Sequence, residues 1–142
     1  MAGDVVALEI PAEAEFVALV RLVVAAMARS DGGLSAEQIA DLELAVSEAC
    51  TNAIEAHDAL SSSERVVVRC RRDLTGIEVC VEDRGGGFDP SSLPNHPPVT
   101  DPTRLKFERG LGIPLIRALV DEVEFKAADQ GTAVRLVVRN ND

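Results

Sequence analysis

Three short blocks fall in a fixed order along the chain: Glu48 to Asn52, Asp83-Arg84-Gly85-Gly86-Gly87, and Gly110-Leu111-Gly112. The glycine triplet constrains folding most. Three consecutive glycines gain little from either helix or strand and lose the most backbone freedom there, so the chain must turn at 85–87 and separate elements must flank it. Before the turn, Ile77, Val79 and Val81 alternate with Glu78, Cys80 and Glu82, which reads as a half-buried strand ending at Asp83. After it, Gly110 and Gly112 open a helix through Ile113, Leu115, Ile116, Leu119 and Val120, with Pro114 tolerated in the first turn.

The first block lies in a predicted helix from Ser35 to Leu60, where Ser35 followed by Gln38 is a capping-box start. At about 100° per residue, Ile39, Leu42, Val46, Ala49, Ala53 and Leu60 form one apolar arc, and Glu48 and Asn52 stack on a neighbouring face. A carboxylate there can take a proton from a hydroxyl, and an amide oxygen can ligate Mg²⁺ without repelling phosphate. By itself the pair also fits a solvated helix face. Asp83 at a strand end can accept a hydrogen bond from an exocyclic amine such as that of adenine, while the glycines let backbone approach a flat ligand. A capped flexible turn is the plainer reading of that block. Free N–H groups and the positive dipole end at Gly110 to Gly112 suit a polyphosphate.

The remaining stretches complete one α+β unit. Val5 to Ile10 reads as a strand, Pro11 to about Arg29 as a helix, and Asp31-Gly32-Gly33 as its break. Arg65 to Arg72 pairs with Ile77 to Val81 through a turn near Asp73 to Gly76, and Val123 to Ala127 pairs with Ala133 to Val138 through Asp129-Gln130-Gly131. The expected fold is a two-layer α/β sandwich, a mixed and mainly antiparallel sheet with helices on one face. Pro90 to Pro102 reads as a mobile loop between the second and third blocks. The basic run around Arg65, Arg69 and Arg71 is expected to face Glu78 and Glu82 rather than to bind phosphate.

Composition narrows the function classes. The chain has 142 residues, 46% of them hydrophobic, which suffices for one domain with a real core. Its formal charge of -10 speaks against direct nucleic-acid binding, where a basic face is the usual footprint. Cys50, Cys70 and Cys80 lack metal-site spacing, and there is neither a signal peptide nor a transmembrane stretch, so a cytoplasmic protein with free thiols and no membrane association is expected. His57 and His96 are too few for a zinc site and are read as structural or exposed, with a surface place favoured for His57.

With these residues laid out, the chain resembles the GHKL (Bergerat-fold) ATPases and, within them, the small bacterial anti-sigma factors that are also serine protein kinases, the RsbW/SpoIIAB type. Ser47-Glu48-Ala49-Cys50-Thr51-Asn52-Ala53-Ile54 is similar to that family's N box, Asp83-Arg84-Gly85-Gly86-Gly87 to its DxGxG block, Arg109-Gly110-Leu111-Gly112 to its lid end, and Gly131-Thr132 to its final adenine-side motif. The resemblance implies one ATP-binding kinase domain over 1–142 with a mobile lid at about 88–110. It implies Glu48 as general base, Asn52 as ligand to Mg²⁺, and Asp83 at the adenine amino group. Gly85 and Gly87 would shape the base pocket, Arg109, Gly110, Leu111 and Gly112 would meet the phosphates, and Thr132 would bond on the adenine side. One departure concerns histidine: relatives often carry it four residues after the asparagine, where this chain has Ala56, with His57 next.

The function implied is an anti-sigma factor that holds a sigma factor and uses MgATP to phosphorylate a serine on an antagonist with a STAS domain. A homodimer is implied as well. The alternative is a non-catalytic ATP-binding switch that sets partner affinity. The catalytic domain of a histidine sensor kinase lacks support, since no dimerisation helix with an acceptor histidine is evident. In the first helix, Phe16, Val20, Val23, Val24 and Met27 are the expected buried arc and Arg21 points away from it. An ordinary solvated arginine fits that place, and by the resemblance Arg21 would contact the sigma factor.

Overall fold

The computed structural model describes residues 3–30, 33–59, 64–84, 112–128 and 131–141. In chain order these form β1 (Asp4–Ile10), a 3-10 turn (Ala14–Phe16), α1 (Val17–Arg29), α2 (Ala36–Ala59), β2 (Val66–Asp73), β3 (Gly76–Glu82), α3 (Gly112–Leu119), β4 (Glu122–Ala128) and β5 (Gly131–Arg139). The strands make one sheet of order β1-β2-β3-β5-β4. All four pairings are antiparallel, so among the described residues the sheet has no parallel pair.

Local chemistry fixes the element ends. At the start of α2, Gln38 N–H donates to Ser35 Oγ (3.0 Å) and Ser35 N–H to Gln38 Oε1 (2.8 Å), the reciprocal capping box expected from the sequence. Gln38 Nε2 also donates to the Arg139 carbonyl, so the same residue ties the helix start to β5. Between β2 and β3, Asp73 Oδ1 accepts from Thr75 N–H, Thr75 Oγ1 and Gly76 N–H. These bonds hold the Asp73 carboxyl below its ordinary range, the Thr75 hydroxyl contributing most. Gly76 has a φ of 157°, and a Cβ there would overlap the Val138 carbonyl, so β3 and β5 approach closely only because this residue is glycine.

Period-two alternation then sorts the strands into two faces. Cys70, Val79, Leu136 and Val123 are register partners across four strands on the helix-covered side. They meet Val20 and Val24 of α1, Leu42, Val46 and Cys50 of α2, and Ile116 of α3 in one core. The open face carries Arg69–Glu82 (3.1 Å), Arg71–Glu78 (3.3 Å) and Arg135–Glu78 (2.7 Å) pairs, with Arg139 against Glu122. The arginine-rich strand therefore faces glutamates, as expected. Half-exposed pairs of this kind add little stability, about 0–1 kcal/mol each.

The first helix differs from expectation. Helical structure begins at Val17, after a 3-10 turn, and its buried residues are Val17, Val20, Val24, Ala25 and Ala28, whereas Phe16, Val23 and Met27 are only partly covered. Both α2 and the sheet pack against α1, so the buried stripe is rotated towards the small residues that let α2 come close.

Candidate active site

Helix α2 places two of the expected groups. Glu48 and Asn52 lie one turn apart, both partly exposed, beside the buried stripe of Val46, Ala49, Cys50 and Ala53. A carboxylate and an amide are thus presented together on a rigid helix rather than on a loop. Glu48 lines a groove of about 630 Å³ with Ala14, Val17, Arg21, Ala40, Glu43, Leu44, Ser47 and Thr51. Arg21 does not stand free of the helix layer. Its Nη1 donates to Ser47 Oγ at 3.3 Å, and Ser47 Oγ in turn donates to the Glu43 carbonyl at 2.8 Å. The half-buried guanidinium therefore leans across to α2, into the same groove as Glu48.

The sheet supplies the other two. Asp83 continues the inward series Ile77, Val79 and Val81, and Thr132 continues the series Leu136 and Val134, so both side chains fall on the helix-covered face. They are 6% and 4% exposed, a rare burial for a carboxylate. Asp83 N–H donates to the Thr132 carbonyl at 2.9 Å, which carries the β3–β5 ladder one residue further and sets the two residues opposite each other. A Cβ at Gly131 would overlap the Asp83 carbonyl and stand 2.6 Å from Oδ1. Gly131 is therefore part of the site as the residue whose missing side chain leaves room for Asp83. The glycine before Thr132 is the only sequence signal for it.

A correction concerns His57. The imidazole is fully buried, and its Nε2 accepts the backbone N–H of Arg84 at 2.9 Å. Counted from the Asn52 position, the ring is turned about 100° around the helix from the place where relatives carry a histidine, which suggests the surface. Measured against Ala53, four residues earlier, His57 lies on the buried stripe that runs through Val46, Ala49 and Ala53. This bond joins the end of α2 to the end of β3. Asn52 is five residues and Glu48 nine residues before His57, about 7.5 Å and about 13 Å along the helix axis. The Glu48 carboxylate, the Asn52 amide and the His57 ring that holds the Arg84 N–H thus follow one another along a single helix.

Gly112 is the first residue of α3, which packs on α2, so the third block ends against the helix that carries the first. Gly85, Gly87, Arg109, Gly110, Leu111, the lid at 88–110, His96 and Leu60 lie outside the described residues. Among the described residues no three His, Cys, Asp or Glu side chains gather as a metal cage. The donor at hand is the Asn52 amide oxygen, which fits a hard cation that keeps most of its ligands from phosphate and water.

A five-stranded antiparallel sheet with helices on one face, a buried carboxylate at the end of β3 and a Glu and an Asn on the covering helix is the architecture of the histidine kinase-like ATPase class. The family described as histidine kinase-like ATPase domain matches residues 10–138. Relatives described as serine-protein kinase RsbW are 36% identical over 140 residues in Bacillus licheniformis, covering 95% of this chain and 85% of theirs. The Staphylococcus epidermidis protein of the same description is 33% identical, with 97% and 92% covered. A crystal structure of RsbU and RsbW domains from Mycobacterium tuberculosis shares the fold, with a TM-score of 0.67 and 22% identity over 96% of this chain, which spans 32% of that longer chain. The chain belongs to the histidine kinase-like ATPase family, in the branch of the RsbW serine-protein kinases.

Proposed function

We propose that this protein is an anti-sigma factor that sequesters a sigma factor and, with MgATP, phosphorylates a serine of an antagonist with a STAS domain. The observation that carries the reading is the juxtaposition of Asp83 and Thr132 beneath the helix that bears Glu48 and Asn52, in a chain of this family. Asp83 accepts from the adenine amino group, with Thr132 bonding beside it. Gly85 and Gly87 shape the base pocket, and Arg109, Gly110, Leu111 and Gly112 meet the phosphates under the lid at 88–110. Asn52 would hold Mg²⁺, which would supply charge neutralisation at the polyphosphate.

Transfer needs positioning more than covalent chemistry from the protein. Glu48 takes the proton from the substrate serine as its Oγ bonds to the γ-phosphorus. The bond from that phosphorus to the bridging oxygen breaks, and ADP leaves with the electron pair. The groove beside Glu48 is open to a protein segment and holds, among the described residues, the cation Arg21, which offers a partner carboxylate a charge-assisted hydrogen bond. The same reading includes a homodimer, a cytoplasmic setting and a single domain over 1–142. It includes no nucleic-acid contact, and no described helix is long and apolar enough to cross a membrane.

Calorimetry of ATP with and without Mg²⁺, on wild type and Asn52→Ala, tests the pocket. Magnesium-dependent binding that falls at least tenfold in the variant is expected. Glu48→Gln should keep ATP affinity but slow serine phosphorylation by about 10²–10⁴-fold, the usual contribution of a general base. Undiminished transfer by Glu48→Gln removes the base assignment. Nucleotide-dependent partner affinity with no phosphoserine formed would leave a binding switch without kinase activity.

A further inference from the structure

The buried imidazole of His57 is a group that the transfer chemistry does not use. We propose that His57 is a positioning residue, a latch from α2 that fixes the end of β3 and thereby aims Asp83 at the nucleotide base. The inference rests on the assignment of Asp83 to the adenine side.

The latch grips the chain at one atom. Arg84 N–H, 2.9 Å from His57 Nε2, is the first backbone donor beyond Asp83 and the last described one before the glycine triplet. On its other side, Asp83 N–H is held by the Thr132 carbonyl at 2.9 Å. The Asp83 carbonyl and carboxylate lie close against Gly131, where a Cβ would not fit. Two successive N–H groups are thus tied to two different elements, α2 and β5, and the residue between them carries the carboxylate. A strand that runs into three glycines has no stiffness of its own to hold that direction. The imidazole supplies it from a rigid helix, which also carries Glu48 and Asn52, so the base end and the phosphate end of the site share one frame.

The ring's other nitrogen argues that the contact is not there for packing. Because Nε2 accepts, Nδ1 carries the proton, and Nδ1 is buried with no hydrogen-bond partner among the described residues. An orphaned buried donor destabilises the fold, so a leucine in the same space would serve the core at least as well. What leucine cannot do is accept from Arg84. Retaining the ring costs stability and gains placement of Asp83.

The test compares His57→Leu with His57→Gln, whose amide oxygen can reach a similar position. Long-range ¹⁵N–¹H spectra of the nucleotide-free wild type should show the Nδ1–H tautomer, and the Arg84 amide should exchange slowly with solvent. In His57→Leu the melting temperature should hold or rise while Arg84 protection is lost and the Kd for ATP and ADP rises about tenfold. His57→Gln should recover most of both. An Nε2–H tautomer in wild type overturns the latch whether or not the leucine variant folds. So does nucleotide affinity in His57→Leu equal to that of a wild type that binds ATP. A wild type with the latch intact but no affinity for ATP overturns the nucleotide reading instead, and with it the purpose assigned to His57.

Discussion

Arg21 illustrates how much one side chain's direction depends on its neighbours. On a helical wheel it stands away from the apolar stripe, as a solvated arginine does. In the folded chain its guanidinium reaches Ser47 on α2 and borders the groove that holds Glu48. A cation at the edge of a groove that also carries Glu43 and Glu48, on a chain of net charge -10, is placed to meet an acidic group on a partner. Arg21→Ala should weaken binding of the sigma factor by about 10- to 30-fold, the scale of an arginine hot spot, while the Kd for ATP stays unchanged. Surface plasmon resonance against the sigma factor checks it, and an unchanged affinity would take Arg21 out of the interface. That Glu48 and Asn52 share one turn was legible from spacing alone, since this needs only a helix. The burial of His57 was not, because its contact is with Arg84, 27 residues later, just past the end of β3.

At the scale of elements, α2 is the part on which the site depends most, and its start is held by few atoms. The Ser35–Gln38 capping box satisfies two otherwise free N–H groups, and Gln38 adds a bond to the end of β5. Ser35→Ala should cost about 1 kcal/mol of stability, read from urea unfolding. Gln38→Ala should cost at least as much, since it removes the tether to Arg139 as well. Equal stability of both variants with wild type would mean that water replaces the cap without loss. The hairpin between β2 and β3 was legible for a similar reason: Asp73, Thr75 and Gly76 make its turn by local bonds. The boundary of α1 was less so. Pro11 marks the chain's departure from β1, but a 3-10 turn intervenes before the α-helix starts at Val17.

At the scale of the whole molecule, the described residues build one core in which two thiols stand among aliphatic side chains. Burial pushes the Cys50 and Cys70 thiols up to about 12, with Arg72 opposing this slightly at Cys70. The sign follows from linkage: the unfolded chain ionises these thiols from about pH 8.5–9 while the folded chain keeps its protons, so the unfolded state gains on alkalinisation. Their full contribution is present below pH 9. It is lost as pH rises towards 12, by about 1.4 kcal/mol per thiol for each pH unit. Urea midpoints at pH 8 and pH 10 should fall more steeply for wild type than for the Cys50→Ala, Cys70→Ala double variant. Parallel curves would show that the thiols ionise freely in the fold. Neither cysteine should react with a thiol reagent at pH 8 until the protein unfolds, because the thiolate is the nucleophile.

Sequence by itself determined the parts that local chemistry can set. The capping box, the Asp73 turn, the alternation that gives β3 two faces, and the ordering of Glu48, Asn52, Asp83 and Thr132 all follow from spacing and side-chain type. Tertiary structure decided what crosses between layers. Only the β3–β5 pairing sets Thr132 opposite Asp83 and makes Gly131 necessary. Only the packing of α2 over the sheet turns His57 from a surface ring into an acceptor for Arg84, and only the contact of α1 with α2 brings Arg21 to Ser47. The physical reason is range: turns, caps and periodicity act over a few residues, while a buried polar contact exists only once two distant elements have excluded water from between them.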